Sequence, residues 1–362
     1  MTTLTTASHQ WATRPADQRY TSLVDMLEHF RRIRNESREV VVPSRRIHAL
    51  PDPDNKGMQI VGPNGNPYTP TNWSFGQLAQ LAEAPAGYMK TLPSPIAADC
   101  INYGLQFKRN IEDVGVLLQR NGNSVLRAVT GPRYGRIWNE EIATSLVDRF
   151  GDGVTGEWRV PGEFREAVQV TKENTTLYAS DRDMFVFLAD ETNRIELPNR
   201  RDGQPGSMAR GFFVWNSEVG ASTFGLATFL YDYVCCNRMI WGADRFAEIR
   251  IRHTVSAPDK FLEELKPALV TYANSSASTI TEAIEKARKA RVADKLDTFL
   301  AERFGSRSVE PLKAIHQLEE GRPIESLWDV ATALTAKARS VEWQDERVAL
   351  ERKAGAIIDL AA

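Results

Sequence analysis

The chain has 362 residues, of which 42% are apolar and 25% charged, with a formal net charge of −2. That balance belongs to a folded globular protein of one large or two ordinary domains and argues against a disordered chain. A dedicated DNA coater is often strongly basic, so the near-neutral charge weighs mildly against one, although local charge distribution sets the field at a groove.

No apolar run approaches twenty residues, so no membrane span is expected. Met1 to Gln10 is polar and Thr-rich and lacks the basic and apolar regions of a signal peptide, which makes the cytoplasm the expected compartment. Three cysteines, Cys100, Cys235 and Cys236, offer neither a disulfide framework nor a zinc-ligand spacing. No metal, cofactor or disulfide is expected, and the thiols read as buried groups in a reducing compartment.

Residues 1–20 read as a mobile arm. Leu23, Met26, Leu27, Phe30 and Ile33 repeat at helical spacing behind Ser22, a candidate N-cap. Val40 to Val42 is a short strand; Met58 to Val61 is another and, with the turn Pro63-Asn64-Gly65-Asn66, predicts a hairpin. Residues 74–90 give two helices broken at Pro85, and Ala97 to Phe107 a third. Strands Val114–Leu118 and Ser124–Thr130 flank Asn121-Gly122, a hairpin signal. A helix follows from Asn139 to Phe150, stopped by Gly151.

From 164 to 253 the pattern is mostly strand: Ala167–Thr171, Thr176–Ala179, Met184–Ala189, Phe212–Trp215, Thr223–Val234 and Ala247–His253, interrupted by a polar loop at Gly203–Gly206. After Pro258, suited to a first helical turn, the chain is helical to its end. Leu262, Leu265, Leu269 and Tyr272 form an apolar stripe that resumes from Ile284 to Leu300, and shorter helices follow at about 308–320, 326–338 and 341–359. Helices, then strands, then helices predict an α+β fold: N-terminal helices and a hairpin, a central mainly antiparallel sheet and a helical C-terminal region. The expected division is an arm over 1–20, a core domain over 21–255 and a helical region over 256–362.

Most catalytic signatures are absent: there is no Walker loop, dinucleotide fingerprint, His-Glu-x-x-His or Gly-x-Ser-x-Gly. Asp52 and Asp54 beside Lys56 faintly suggest a metal nuclease but read better as turn residues, as do Asp181 and Asp183 around Arg182. Residues 75–90 resemble half of a helix-turn-helix. Ala86, Gly87 and Tyr88 do not supply the polar and basic start of a DNA-reading helix, so a packed helix pair is the better account. Lys286, Arg288, Lys289, Arg291 and Lys295 read as a solvated helix face.

Arg127, Arg133 and Arg136 lie on or just after a strand, interleaved with Tyr134 and Trp138. Arg250 and Arg252 alternate along a late strand and project to one face, with His253 on the other. Basic side chains attract phosphates and aromatic rings stack unpaired bases, so these seven residues are the candidate nucleic-acid-binding set. The structural alternative is a charged solvent face with Tyr134 and Trp138 in the core.

Several segments together resemble a known family. They are Phe75-Gly-Gln-Leu78 with Pro85-Ala-Gly-Tyr88, Leu126-Arg-Ala-Val129 with Arg133-Tyr134, Asn216-Ser-Glu-Val-Gly220, Val234-Cys-Cys-Asn237, Arg252-His253, and Leu327-Trp-Asp-Val330 with Ala333-Leu-Thr335. In this order, over about residues 70–340, the chain resembles the phage/plasmid-like proteins of domain-of-unknown-function family 932. Arg238 departs from the pattern, since that family commonly carries Gly there. The resemblance implies a mobile-element origin and an accessory role in DNA metabolism.

Two readings of function follow. One is a protein of DNA metabolism that binds single-stranded DNA as an annealing or recombination mediator, its C-terminal helices serving homo-oligomeric assembly; no bond need be made or broken. The other is a non-catalytic interaction protein that binds a host or phage partner. A third, a hydrolase using Asn216, Ser217 and Glu218 with His253 brought close by the fold, competes with a plain polar turn at Asn216–Gly220.

Overall fold

The computed structural model describes residues 15–52, 57–62, 65–107, 113–121, 123–161, 169–198, 205–232, 237–239, 248–275, 278–339 and 344–361. Helix α1 spans Leu23–Glu36. Its N-cap Ser22 accepts from the Asp25 amide at 3.0 Å, satisfying one of the free N–H groups of the first turn. Strands β2 (Ser37–Pro43), β3 (His48–Pro51), β4 (Met58–Val61) and β5 (Pro67–Pro70) follow strand β1 (Arg19–Tyr20). Then come helices α2 (Asn72–Leu81), α3 (Ala86–Met89) and α4 (Ser94–Phe107) and strands β6 (Asp113–Asn121) and β7 (Asn123–Thr130).

Among the described residues these strands build a six-stranded sheet in the order β2-β6-β7-β5-β4-β3, antiparallel except where β5 runs parallel to β7. Its inner face packs Val42, Ile60, Tyr68, Val116, Leu118 and Leu126 against Leu78 of α2 and Ile101 and Leu105 of α4. The β6–β7 hairpin carries an irregularity that decides the site. Leu118 pairs with Leu126 and Leu117 with Ala128, so Arg127 is the extra residue of a β-bulge. A bulge re-aims the side chain it inserts.

Helix α5 (Asn139–Phe150) leads to the second sheet, built from β8 (Trp158–Arg159), β9 (Leu177–Ala179), β10 (Met184–Asp190), β11 (Ile195–Leu197), β12 (Gly206–Asn216), β13 (Phe224–Asp232), β14 (Asn237–Met239) and β15 (Glu248–Ile251). With β1 it forms, among the described residues, a nine-stranded antiparallel sheet whose spine runs β1-β9-β10-β12-β13-β14. Alternate residues divide between two cores, as the period of a strand requires. Val186, Leu188, Phe212, Val214 and Leu226 face α1 and α5. Phe185, Phe187, Phe213, Trp215 and Phe229 form an aromatic layer opposite, with the Phe187 and Phe229 rings stacked 4.1 Å apart.

The helical part comprises α6 (Ala257–Asn274), α7 (Ser278–Lys289), α8 (Leu296–Phe304), α9 (Val309–Glu320), α10 (Leu327–Arg339) and α11 (Gln344–Asp359). Phe261, Leu265, Leu269 and Tyr272 of α6 share the core of the second sheet. The remaining helices close a further core over Ile195, Leu197, Met208 and Leu230 of the same sheet. Buried Arg210 of β12 pairs with Asp190 at 2.9 Å and donates to the carbonyls of Tyr272 and Ser275, which fixes the C-terminal end of α6.

The α+β class holds, with mainly antiparallel sheets and a helical C-terminal part. Among the described residues no helix is long and apolar enough to cross a membrane. Several expectations are corrected. The expected strand Ala167–Thr171 is absent over its described part: Asn174 accepts from the Thr171 amide and donates to the Gln169 carbonyl, local side-chain bonds that compete with strand pairing. The stripe from Leu262 to Leu300 is cut into separate helices, and Leu265, Leu269, Tyr272, Ile284 and Leu300 are buried in the chain's own cores. The stripe is thus largely spent on the chain's own packing: Leu262 is exposed, and Val292, Leu296 and Phe299 are half-buried. Of the expected arm, residues 1–14 lie outside the described residues, whereas Arg19 and Tyr20 pair with Tyr178 and Leu177. Asp54, Lys56, Cys235 and Cys236 also lie outside them.

Candidate nucleic-acid interface

The seven candidate residues divide into a buried set and an exposed set. Arg127, turned by its bulge to the outer face of the six-stranded sheet, donates to Glu218 Oε2 at 2.7 Å and to Ser37 Oγ at 3.2 Å. Both partners of the ion pair are nearly inaccessible, with side-chain exposures of 6% and 4%. Glu218 Oε1 accepts from the Asn139 amide at 2.8 Å, placing a carboxylate at the N-terminus of α5, where the helix dipole favours negative charge. Asn216 Nδ2 donates to the Ile137 carbonyl and to Asn139 Oδ1. From the other side, Trp73 Nε1 and Gln77 Nε2 of α2 both donate to the Val219 carbonyl, at 2.9 and 2.8 Å. The segment Asn216–Gly220, buried as far as Val219, is thus a clasp between the two sheets.

Arg136 is buried as well, donating to Glu39 Oε1 at 2.7 Å, with its guanidinium 5.1 Å from the Tyr134 ring and 5.6 Å from the Trp138 ring. The Arg34 guanidinium lies 3.7 Å over Trp138, which is itself buried. This corrects the expectation for three residues. Arg127 and Arg136 have carboxylate partners inside the protein, and Trp138 is covered by guanidinium groups, so none presents a free surface for phosphates or bases. Sequence spacing gives no sign of the partners Glu39 and Glu218, which lie 97 and 91 positions from these arginines.

Tyr134 is mostly covered. Its hydroxyl donates to the Ser217 carbonyl at 2.8 Å, and its ring stacks on His253 with centroids 4.8 Å apart. Burial is the main reason its phenol is pushed above the ordinary value. His253 Nδ1 lies 3.0 Å from the Gly135 carbonyl. Burial lowers its pKa to about 4, with the Arg136 charge acting in the same direction, so the imidazole is neutral at pH 7 and Nδ1–H is the donor. The two chain segments touch here: the Gly135 amide donates to the His253 carbonyl at 3.2 Å, and a Cβ on Gly135 would lie 1.7 Å from the Thr254 carbonyl oxygen. Only glycine fits that approach.

Arg133, Arg250 and Arg252 are exposed. Ile251 between the last two is buried, as the alternation predicts, and His253 is turned inward. Arg133 and Tyr134 line an open pocket of about 750 Å³ with His253, Thr254, Val255 and Asp259. Ser217 cannot act with His253 as a nucleophile and base in this arrangement. Its hydroxyl donates to the Arg182 carbonyl and accepts from the Ala221 amide, while His253 bonds Gly135. Asp183 accepts from Ser180 Oγ at 3.0 Å and is a turn residue, as expected. Arg288, Lys289 and Arg291 bond Pro198, Glu285 and Glu325, the pattern of a surface helix face. Among the described residues no group of three or more His, Cys, Asp or Glu could hold a metal ion.

No curated protein and no solved structure matches the chain. The family described as "Domain of unknown function (DUF932)" matches residues 162–354, which take in most of the second sheet, the Asn216–Gly220 clasp, His253 and the helices up to most of α11. The segments around 75–88 and 126–134 lie outside that match. More than half of the 362 residues are covered, and the chain belongs to domain-of-unknown-function family 932.

Proposed function

We propose that this chain is a phage- or plasmid-borne protein of DNA metabolism that binds single-stranded DNA in the bacterial cytoplasm, as a strand-annealing or recombination mediator. The observation that supports this best is the open pocket beside exposed Arg133, with Arg252 adjoining its His253 wall in sequence. Arg133, Arg250 and Arg252 supply phosphate attraction. Tyr134 and His253 each have one ring face already taken by their mutual stack. Base contacts are therefore few, and binding is dominated by the backbone. Ultraviolet crosslinking to a thymidine-rich oligonucleotide, followed by peptide mapping, tests the placement. Crosslinks are expected within residues 131–138 and 250–259; crosslinks confined to other segments would refute it.

The alternative, an interaction protein, draws on a different surface. Ile96, Tyr103 and Phe107 line one side of α4 and are 51%, 68% and 68% exposed, with the Tyr103 and Phe107 rings 4.9 Å apart. An uncovered apolar row of this kind suits contact with a partner protein.

A further inference from the structure

The inner face of the six-stranded sheet is incompletely filled beside β2 and β6. A pocket of about 300 Å³ opens there, with Arg38 of β2 and Arg120 of β6 at its mouth and Val40, Tyr68 and Leu118 as its floor. Arg38 pairs in register with Leu118, so Arg120 is its diagonal neighbour on the same face, about 7–8 Å away at Cα by strand geometry. Both arginines are exposed, and neither has a carboxylate partner among the described residues. The Arg120 guanidinium lies 5.8 Å from the Tyr68 ring centroid. The floor is apolar, with Tyr68 and Leu118 buried and Val40 half-buried, and a small enclosed void of about 10 Å³ shares all three with it. Glu36 lines the same pocket and has one carboxylate oxygen taken by Gln119 Nε2 at 3.0 Å, which leaves acceptor capacity for a ligand donor.

We propose that this pocket binds a nucleoside monophosphate. Two forked guanidinium groups on adjacent strands fit a phosphate, for which Arg is the preferred partner. A floor of two aliphatic side chains and an aromatic ring fits a flat, weakly polar base. A carboxylate at the rim fits a sugar hydroxyl or an exocyclic amino group. The volume lies at the lower end of the range for small-ligand sites. This site shares no residue with the Arg133 pocket and does not depend on the single-strand reading.

Calorimetric titration of the full chain with adenosine and thymidine monophosphates, ribose 5-phosphate and inorganic phosphate tests the proposal. At least one nucleoside monophosphate should bind, and both base-free phosphates should bind at least about tenfold more weakly. Arg38→Gln and Arg120→Gln, which alter exposed groups and should leave the melting temperature unchanged, should each weaken binding by about tenfold, the scale of a lost charge-assisted hydrogen bond. Val40→Trp, which fills the floor, should abolish it in a variant whose circular dichroism is that of the parent. Arg133→Gln with Arg252→Gln should have no effect. The proposal is overturned if neither nucleotide binds at about 10 mM, if inorganic phosphate binds as well as the nucleotides, or if the Arg38 and Arg120 variants bind like the parent.

Discussion

Arg127 on β7 and Glu218 in the turn after β12, 91 positions apart, form an ion pair of 2.7 Å that is sealed from solvent. The pair closes the junction at which the β6–β7 hairpin, the start of α5 and the Asn216–Gly220 clasp converge. Removing one member leaves a buried charge alone, which typically costs about 3–5 kcal/mol. Arg127→Met and Glu218→Gln should each be destabilising on that scale in urea denaturation. The double variant should be less destabilised than the sum of the two. Strictly additive single costs below about 1 kcal/mol would contradict a buried, coupled pair.

His253 makes stability depend on pH. Its folded pKa of about 4 lies below the ordinary histidine value near 6.5, so the unfolded chain binds the extra proton first. The associated stability is complete above about pH 6.5 and is lost as pH falls toward 4, with a full span of about 3 kcal/mol. His29 is also shifted down, by burial first and then by Arg32, and adds to the same slope. His253→Phe keeps a ring against Tyr134 and should flatten the stability profile between pH 6.5 and 4 relative to the parent. An unchanged slope would show that His253 is not buried in neutral form.

Gly135→Ala should destabilise the protein by more than about 1 kcal/mol and deform the Arg133 pocket, because its Cβ would meet the Thr254 carbonyl at 1.7 Å. Gly131→Ala, in the same turn region with nothing within 4 Å of its Cβ, is the matched control. Equal melting temperatures for the two variants would contradict the close approach of these segments.

The C-terminal helices give a sharper contrast. Leu300 is fully buried and Leu262 is 52% exposed, although both lie on the same apolar stripe in sequence. Leu300→Lys should cost several kcal/mol, on the order of a buried unpaired charge, while Leu262→Lys should stay within about 0.5 kcal/mol. A monomeric, fully stable Leu300→Lys variant would contradict the packing of the core over β11 and β12.

Periodicity carried much of the fold. The amphipathic spacing of α1, its Ser22 cap, the β6–β7 hairpin, the stop at Gly151 and the runs of β10 and β13 are local signals and appear where the residues place them. Short strands escaped: β3, β5, β11 and β14 have three or four residues each, too few for a pattern, and are held by pairing with distant chain. The site was half legible. The alternation Arg250-Ile251-Arg252 correctly separated exposed from buried positions. Arg127 could not be read the same way, because a single inserted residue in β7 reverses the face on which a side chain emerges. Arg136 escaped for another reason, since its partner Glu39 comes from β2, on the far side of the sequence.

The proposed function rests on single-stranded DNA binding through Arg133, Arg250 and Arg252. Its most direct test is fluorescence anisotropy of a labelled single-stranded oligonucleotide across a salt series. Measurable affinity at low salt and a log–log slope of about 0.7 per phosphate contacted are expected. Substituting all three arginines by glutamine should lower that slope by about 2 without changing the melting temperature, while Arg127→Met should act through stability alone. Absence of any affinity for single-stranded DNA at low salt, or an unchanged slope in the triple variant, would contradict it.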